Sequence, residues 1–283
     1  MSRVLRALSL AARDPRLFLD KALFRARDLG PAPAGVRVGR VGAVRFEFDF
    51  GFDAAVCAMS RGGYETASVR MLRRLLKPGD VFVDAGANIG YMSAVAMGAV
   101  GRDGEVHAFE PVPDCFRRLL RLGELNPGRR FLANACALGE GDGAAVVSVT
   151  RLPNRGWNTM VPGFMKDVEV RESVSVPVRR LDRYLAEHAV ARLAALKIDV
   201  EGYEFPVLRG MTGFLDRTAA RPPILCEVAP DAYPLLGRSL REFDDFLRGY
   251  GYQAREIERP HMRIDLAALR RTTSLVLLAT PPA

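Results

Sequence analysis

The stretch VFVDAGANIGYMS, residues 81–93, decides the reading of this chain. A short apolar run, Val81 to Val83, ends in Asp84; the chain then passes Gly86, Asn88 and Gly90 and enters a segment free of helix breakers. An apolar run of that length bounded by glycine reads as a buried strand, and the residues from Tyr91 onward read as a helix. Gly86 and Gly90 let the backbone turn tightly and approach a ligand, and Asn88 stands where a dinucleotide-binding fingerprint has its middle glycine.

The same rhythm continues downstream. EVHAFEP reads as a strand, a helix starts near Asp114, and RRFLANACAL reads as a third strand. LAALKIDVEG, PPILCEV, YQAREIE and TSLVLLAT follow as strands, with helices at EFPVLRGM and LREFDDFLRGY between them. Alternating strands and helices imply an α/β fold, a mainly parallel sheet with helices on both faces. Residues 144–180 break the rhythm as two strands, AAVVSVT and SVSVPVRR, around a polar loop, an inserted β-hairpin suited to cover a substrate. Upstream, residues 36–50 alternate as a strand or hairpin, and residues 65–76 carry Val69, Leu72 and Leu76 at helical spacing until KPGD stops them.

At 283 residues, with 49% hydrophobic and 26% charged residues, the chain has the composition of a soluble globular protein. Residues 1–35 read as a helical extension and residues 36–283 as one domain whose core spans 60–252. In the extension Val4, Leu5, Leu8, Leu17, Phe18 and Leu23 can share one side of a helix with arginines opposite, a pattern that fits packing on the domain or lying against a membrane. Charges interrupt each apolar run before it can span a bilayer, and cytoplasmic placement is expected. The four cysteines, Cys57, Cys115, Cys136 and Cys226, have no paired spacing and read as free thiols. The net charge of +8 is spread along the chain and reads mainly as composition.

Two acids select the cofactor. Asp84 stands before the first glycine, where it would oppose a pyrophosphate but accept hydrogen bonds from an ammonium group. Glu110 ends the next strand, twenty residues past Gly90, where an acid takes both ribose hydroxyls. That pair suits S-adenosylmethionine better than NAD. With LKPGDVFVDAGANIGYMS, AFEP, LKIDVEGYEFPVLRG and ILCEV, the chain resembles the FkbM-type methyltransferases, a branch of the class I S-adenosylmethionine-dependent enzymes, over about residues 60–252. The resemblance implies a Rossmann-like class I methyltransferase fold that transfers a methyl group, typically to a hydroxyl of a sugar, polyketide or related product. It carries Asp84, Gly86, Asn88 and Gly90 onto the first cofactor motif and Glu110 onto the ribose acid. GGYE, residues 62–65, looks like the family's approach to the cofactor's amino-acid end and makes Glu65 a neighbour of it.

LKIDVEGYE is the second informative stretch. On a strand Lys197, Asp199 and Glu201 point one way, so three charged groups emerge together at the sheet's edge. Asp199 is the leading catalytic residue; Asp199 or Glu201 can take the acceptor's proton, and Lys197 can pair with Asp199 or bind the acceptor. Asp199, Glu201 and Glu227 are alternatively oxygen ligands for magnesium. Asn134 and Cys136, after the third strand, are candidates for the adenine. Trp157, the single tryptophan, with Asn158 beside it, is a candidate for the acceptor face. His107 is a reserve base.

A nucleic-acid methyltransferase, a binding protein with a relic cofactor site and a dehydrogenase are the competing readings. No Asn/Asp-Pro-Pro-Tyr/Phe motif or basic aromatic platform supports the first, so no nucleic-acid partner is expected. A phosphorylated glycan, a lipid-linked sugar and a carboxylated metabolite all remain open as acceptors, and nothing in the chain sets an oligomeric state.

Overall fold

A computed structural model describes residues 33–150, 157–164, 169–218 and 220–279. The helical extension expected over residues 1–35 therefore lies almost entirely outside the described residues. The first element is a hairpin, β1 (Val36–Val41) and β2 (Val44–Asp49), in register from Val36 opposite Asp49 to Val41 opposite Val44. Helices α1 (Ala55–Ser60) and α2 (Thr66–Leu75) follow. Then comes the alternation expected from the sequence: β3 (Val81–Ala85), α3 (Tyr91–Val100), β4 (Glu105–Phe109), α4 (Pro113–Leu125) and β5 (Arg130–Asn134).

The insertion is a separate sheet. In it β8 (Val170–Arg179) pairs antiparallel with β7 (Gly143–Thr150) and parallel with the short β6 (Ala137–Leu138). The chain returns to the main sheet through α5 (Leu181–Glu187), β9 (Ala195–Ile198), α6 (Glu204–Arg209), α7 (Thr212–Arg217) and β10 (Ile224–Val228), and finishes with α8 (Leu240–Gly249), β11 (Tyr252–Glu256) and β12 (Thr273–Ala279).

The main sheet has the order β11-β12-β10-β9-β3-β4-β5, with only β12 running against its neighbours. From β3 the chain moves outward through β4 to β5, and from β9 it moves the opposite way. The reversal therefore falls between β3 and β9, and a crevice opens there beyond the strand ends.

Local chemistry explains the helices that flank this point. α4 has Pro113 in its first turn with Asp114 beside it, and buries Cys115, Leu119, Leu122 and Leu125 along one stripe. α3 is apolar nearly all round because the sheet covers one side and the hairpin and α2 the other. α8 starts at a capping box in which Ser239 accepts from the Glu242 N–H and Glu242 accepts from the Ser239 N–H.

Strand alternation separates two cores. Phe82, Val106, Ala195 and Leu225 pack with the hairpin, α2 and α3, whereas Val83, Leu196, Ile198 and Cys226 pack under α5 to α8. By the same parity Asp84, Lys197 and Glu227 fall on the hairpin side. Among the described residues no helix is long and apolar enough to cross a membrane, and all four cysteines are free thiols, as expected.

Candidate active site

β3 and β9 are register partners in which Asp84 pairs with Lys197 and Ala85 with Ile198. The Asp199 N–H then donates to the Ala85 carbonyl at 3.0 Å, which carries the pairing one residue past the strand. A carboxylate and an ammonium thus sit side by side on one sheet face. Lys197 is buried; its Nζ donates to Asp199 Oδ2 at 2.6 Å and lies 3.9 Å from Glu65 Oε1. Burial alone would lower its pKa, but the charges of Asp199, Glu65 and Asp84 hold it well above the usual lysine range.

Asp84 is fully buried and accepts from Ser93 Oγ at 2.6 Å. Its other oxygen, Oδ1, is buried with no hydrogen-bond partner among the described residues. Burial pushes its pKa up to about 6 against the pull of Lys197. Glu65 reaches the same place from the start of α2, where its backbone is left-handed at φ 41°. A fully buried carboxylate with an unused oxygen is a costly arrangement that a cationic ligand would relieve.

Glu110 spends both oxygens on the main chain: Oε2 accepts from the Asn88 N–H and Oε1 from the Val112 N–H, each at 2.8 Å. The first bond ties the glycine turn to the end of β4. Burial raises Glu110 to about 7, with the two N–H donors opposing. Asn88 holds the left-handed conformation at φ 52°, and its Oδ1 is buried without a partner among the described residues.

The glycines serve a purpose that the sequence reading did not anticipate. A Cβ on Gly86 would stand 1.8 Å from the Asp199 carbonyl oxygen, and one on Gly90 would stand 2.9 Å from both Leu119 and Leu122 of α4. What approaches the turn so closely is the chain itself, at the β9 end and at α4. Both glycines also have φ at or above 80°.

Glu201 does not lie on a strand as expected, since β9 ends at Ile198. It sits in a turn at φ 48°, held from the insertion by a bond from Thr159 Oγ1 to its carbonyl at 2.6 Å. The side chain still arrives at the site. Asp199, Glu201 and Glu227 each offer a ligand atom within 4.8 Å of the others, with Glu227 held by Ser274 Oγ at 3.0 Å. Burial, then the neighbouring Asp199, raises Glu201 to about 9 and Glu227 to about 7. Glu204, readable from the sequence as an ordinary salt-bridge partner of Lys197, makes no such bridge among the described residues. It is fully buried, accepts from the Gly202 N–H at 2.7 Å, and is raised by burial to about 8.

Glu65, Asp84, Gly86, Asn88, Glu110, Lys197, Asp199, Glu201 and Glu227 line a cleft of about 260 Å³; Gly90 and Glu204 do not line it. Seven of its lining residues are Asp or Glu and one, Lys197, is a cation, the reverse of the chain's net charge of +8. The cleft thus favours positively charged or hydrogen-bond-donating ligands. Trp157 lines it while remaining 47% exposed, and Asn158 lines it with its Oδ1 accepting from the Thr150 N–H at 3.1 Å. Cys136 also lines it, its thiol pushed up by burial to about 11.

Asn134 and His107 do not come to the cleft. The Asn134 amide donates to the Ala108 and Leu132 carbonyls and to Tyr184 Oη, while His107 Nδ1 meets the same Tyr184 Oη at 2.9 Å. Burial lowers His107 to about 4, which leaves a neutral, structural imidazole in place of the reserve base. The cleft also gains Asp53, Met59 and Tyr64 from the segment before β3. Tyr64 is the tyrosine of GGYE, whereas Asp53 and Met59 lie outside any motif.

A mainly parallel sheet reversing between β3 and β9, with acids at the ends of its first two strands, defines the Rossmann-like fold of class I methyltransferases. The chain belongs to the FkbM methyltransferase domain family, whose model matches residues 84–254. It is 30% identical over 210 residues to the 31-O-demethyl-FK506 methyltransferase FkbM of Streptomyces tacrolimicus, covering 62% of this chain and 74% of that protein. It is 29% identical over 148 residues to the hexuronic acid methyltransferase AglP of Haloferax volcanii, covering 52% of this chain and 56% of that one. Methyltransferase 1 of Beauveria bassiana is 34% identical over 151 residues, covering 47% and 59%. The chain thus spans little more than half the length of the last two. Among solved structures, a SAM-dependent O-methyltransferase from Thermotoga maritima aligns at a TM-score of 0.39 and 16% identity, covering 76% of this chain and 64% of that one.

Proposed function

We propose that the protein is an S-adenosylmethionine-dependent O-methyltransferase acting on a hydroxyl of a sugar, glycan or related natural product. The observation that carries this is Asp84, fully buried at the switch point with one oxygen unpartnered among the described residues and a second carboxylate, Glu65, beside the same Lys197. Such a pair suits an ammonium group, and Glu110, anchored by two N–H donors, keeps acceptor capacity for a diol. Glu65 and Asp84 would hold the amino-acid end of S-adenosylmethionine, and Glu110 the ribose. The bound cofactor supplies the methyl group on its sulfonium.

The chain's own residues do the rest. Lys197 orients Asp199 through the 2.6 Å ion pair. Asp199 takes the proton of the acceptor hydroxyl as the new bond to carbon forms. Glu201, its carboxyl pushed up by burial and by Asp199, lies beside the same acceptor position and is the alternative proton acceptor. Trp157, on the insertion, offers an aromatic face to the acceptor ring. Relatives named for 31-O-demethyl-FK506 and for a hexuronic acid support a natural-product or sugar acceptor. Cytoplasmic placement is part of the proposal, in keeping with the four free thiols.

Magnesium is a second reading of the same carboxylates, because Asp199, Glu201 and Glu227 converge within 4.8 Å. Calorimetric titration with S-adenosylmethionine and S-adenosylhomocysteine, on wild type and on the Asp84→Ala and Glu110→Ala variants, tests the main reading. Binding that either substitution weakens about ten-fold or more in folded protein supports it. Wild-type protein that is folded and binds neither ligand overturns it. An acceptor screen with and without a chelator then separates the two roles of the carboxylates.

A further inference from the structure

Asp53 lies outside the segment that matches the family, residues 84–254, and before every motif that carries the resemblance. It nonetheless lines the cleft together with Glu110, Pro111 and Val112. Its position is built, not incidental. Arg118 of α4 donates to Asp49 Oδ2 at 2.6 Å and places its guanidinium 3.5 Å from the centre of the Phe52 ring. Arg118 also donates to the Asp114 carbonyl at 3.0 Å, so one side chain clamps the turn between β2 and α1 onto the first turn of α4. That turn begins three residues after Glu110, and Asp53 lines the cleft with Glu110. The Cys115 thiol senses both: besides burial, the charges of Glu110 and Asp53 are among the groups that push it up.

One Asp53 oxygen, Oδ1, accepts from the Ala55 N–H at 2.7 Å. The other takes no hydrogen bond among the described residues. Two carboxylates from different walls, Glu110 at the end of β4 and Asp53 on the covering turn, thus line the same cleft as Lys197, Glu65 and Asp84. We propose that Asp53 is a further cofactor-binding residue, its second oxygen accepting a hydrogen bond from the nucleoside, either a ribose hydroxyl or the exocyclic amine of the base. This rests on the nucleoside-cofactor reading of the cleft. It gives the segment before β3 a direct part in holding the ligand.

The test is calorimetry on the full chain with S-adenosylhomocysteine, and competition against it by 5′-methylthioadenosine, which lacks the amino-acid end. The variants are Asp53→Asn and Asp53→Ser, both of which keep an acceptor for the Ala55 N–H. The expected result is a loss of about ten-fold or more, equal for both ligands, with the unfolding midpoint of the ligand-free protein unchanged. S-inosylhomocysteine separates the two donors: a loss that disappears with it assigns the amine, and a loss that persists assigns the ribose. Variant affinities within about two-fold of wild type overturn the proposal and leave the cofactor reading intact. A loss confined to S-adenosylhomocysteine also overturns it. Wild-type protein that binds no S-adenosylhomocysteine overturns the cofactor reading, and Asp53's part with it.

Discussion

Gly86 lies against the carbonyl of Asp199: a Cβ added to it would stand 1.8 Å from that oxygen. The turn that follows the first strand and the segment that carries the proposed proton acceptor are therefore one packed unit. Gly86→Ala is expected to destabilise the fold by about 3 kcal/mol or more, through the contact and the positive φ together, and to abolish ligand binding. Gly98→Ala is the control. Gly98 is exposed on α3, and its added Cβ would meet Val44 at an ordinary 3.8 Å, so a gain of about 0.5–1 kcal/mol is expected. Denaturant unfolding of both variants checks the contrast.

Lys197 and Asp199 separate positioning from chemistry. Asp199→Asn keeps the shape of the ion pair's acceptor but removes the base, so methyl transfer should fall about a hundred-fold or more while the affinity for S-adenosylhomocysteine stays within a few-fold. Lys197→Met leaves Asp84 and Glu65 beside an apolar chain. Stability should fall by about 3–5 kcal/mol, the size expected when one member of a buried pair is removed. Calorimetry, single-turnover assays and unfolding curves on the two variants give the comparison.

The buried acids set a pH dependence whose sign is unusual. Asp84 rises from 3.8 to about 6, Glu110 from 4.5 to about 7, Glu227 from 4.5 to about 7, Glu204 from 4.5 to about 8 and Glu201 from 4.5 to about 9. Each binds its proton more tightly folded than unfolded, so stability is lost as pH rises from about 4 towards 9. His107 runs the other way, because its drop from 6.5 to about 4 gives stability that is lost as pH falls through that range. The decline should be clearest between about pH 6.5 and 9, where His107 no longer opposes it and the buried thiols of Cys115, Cys136 and Cys226, also raised by burial, add to it with the same sign. The unfolding midpoint of the ligand-free protein should therefore be lower at pH 8.5 than at pH 6.5, and S-adenosylmethionine should raise it more at the higher pH. A midpoint that climbs across this window without ligand would contradict the reading that burial outweighs the hydrogen bonds these carboxyls accept.

Trp157 is 47% exposed, so Trp157→Ala should leave stability within about 0.5 kcal/mol of wild type. Its place on the cleft wall predicts a higher KM for the acceptor with cofactor affinity unchanged. Thermal unfolding and steady-state kinetics with the first acceptor identified measure both effects.

Local sequence determined the strand–turn–helix unit of residues 81–93, the repeat of that unit through EVHAFEP and the inserted hairpin, because periodicity and glycine punctuation act over a few residues. It also determined that Asp84 and Glu110 end neighbouring strands, since their spacing follows from one strand–helix–strand crossover. Tertiary structure decided what those residues meet. Gly86 is small because the β9 end packs on it, and Gly90 because α4 does; neither partner is near in sequence. Glu201 reaches the site from a left-handed turn that Thr159 of the insertion holds, so strand alternation misplaced its backbone. Asn134 and His107 turn from the cleft to the Tyr184 hydroxyl, a partner about fifty residues or more away whose hydrogen bonds outweigh a place at the ligand. Asp53 and Glu227 join the cleft only because Arg118 clamps one turn and β10 lies beside β9. Burial by distant segments, which no local pattern encodes, then moves the carboxyl pKa values.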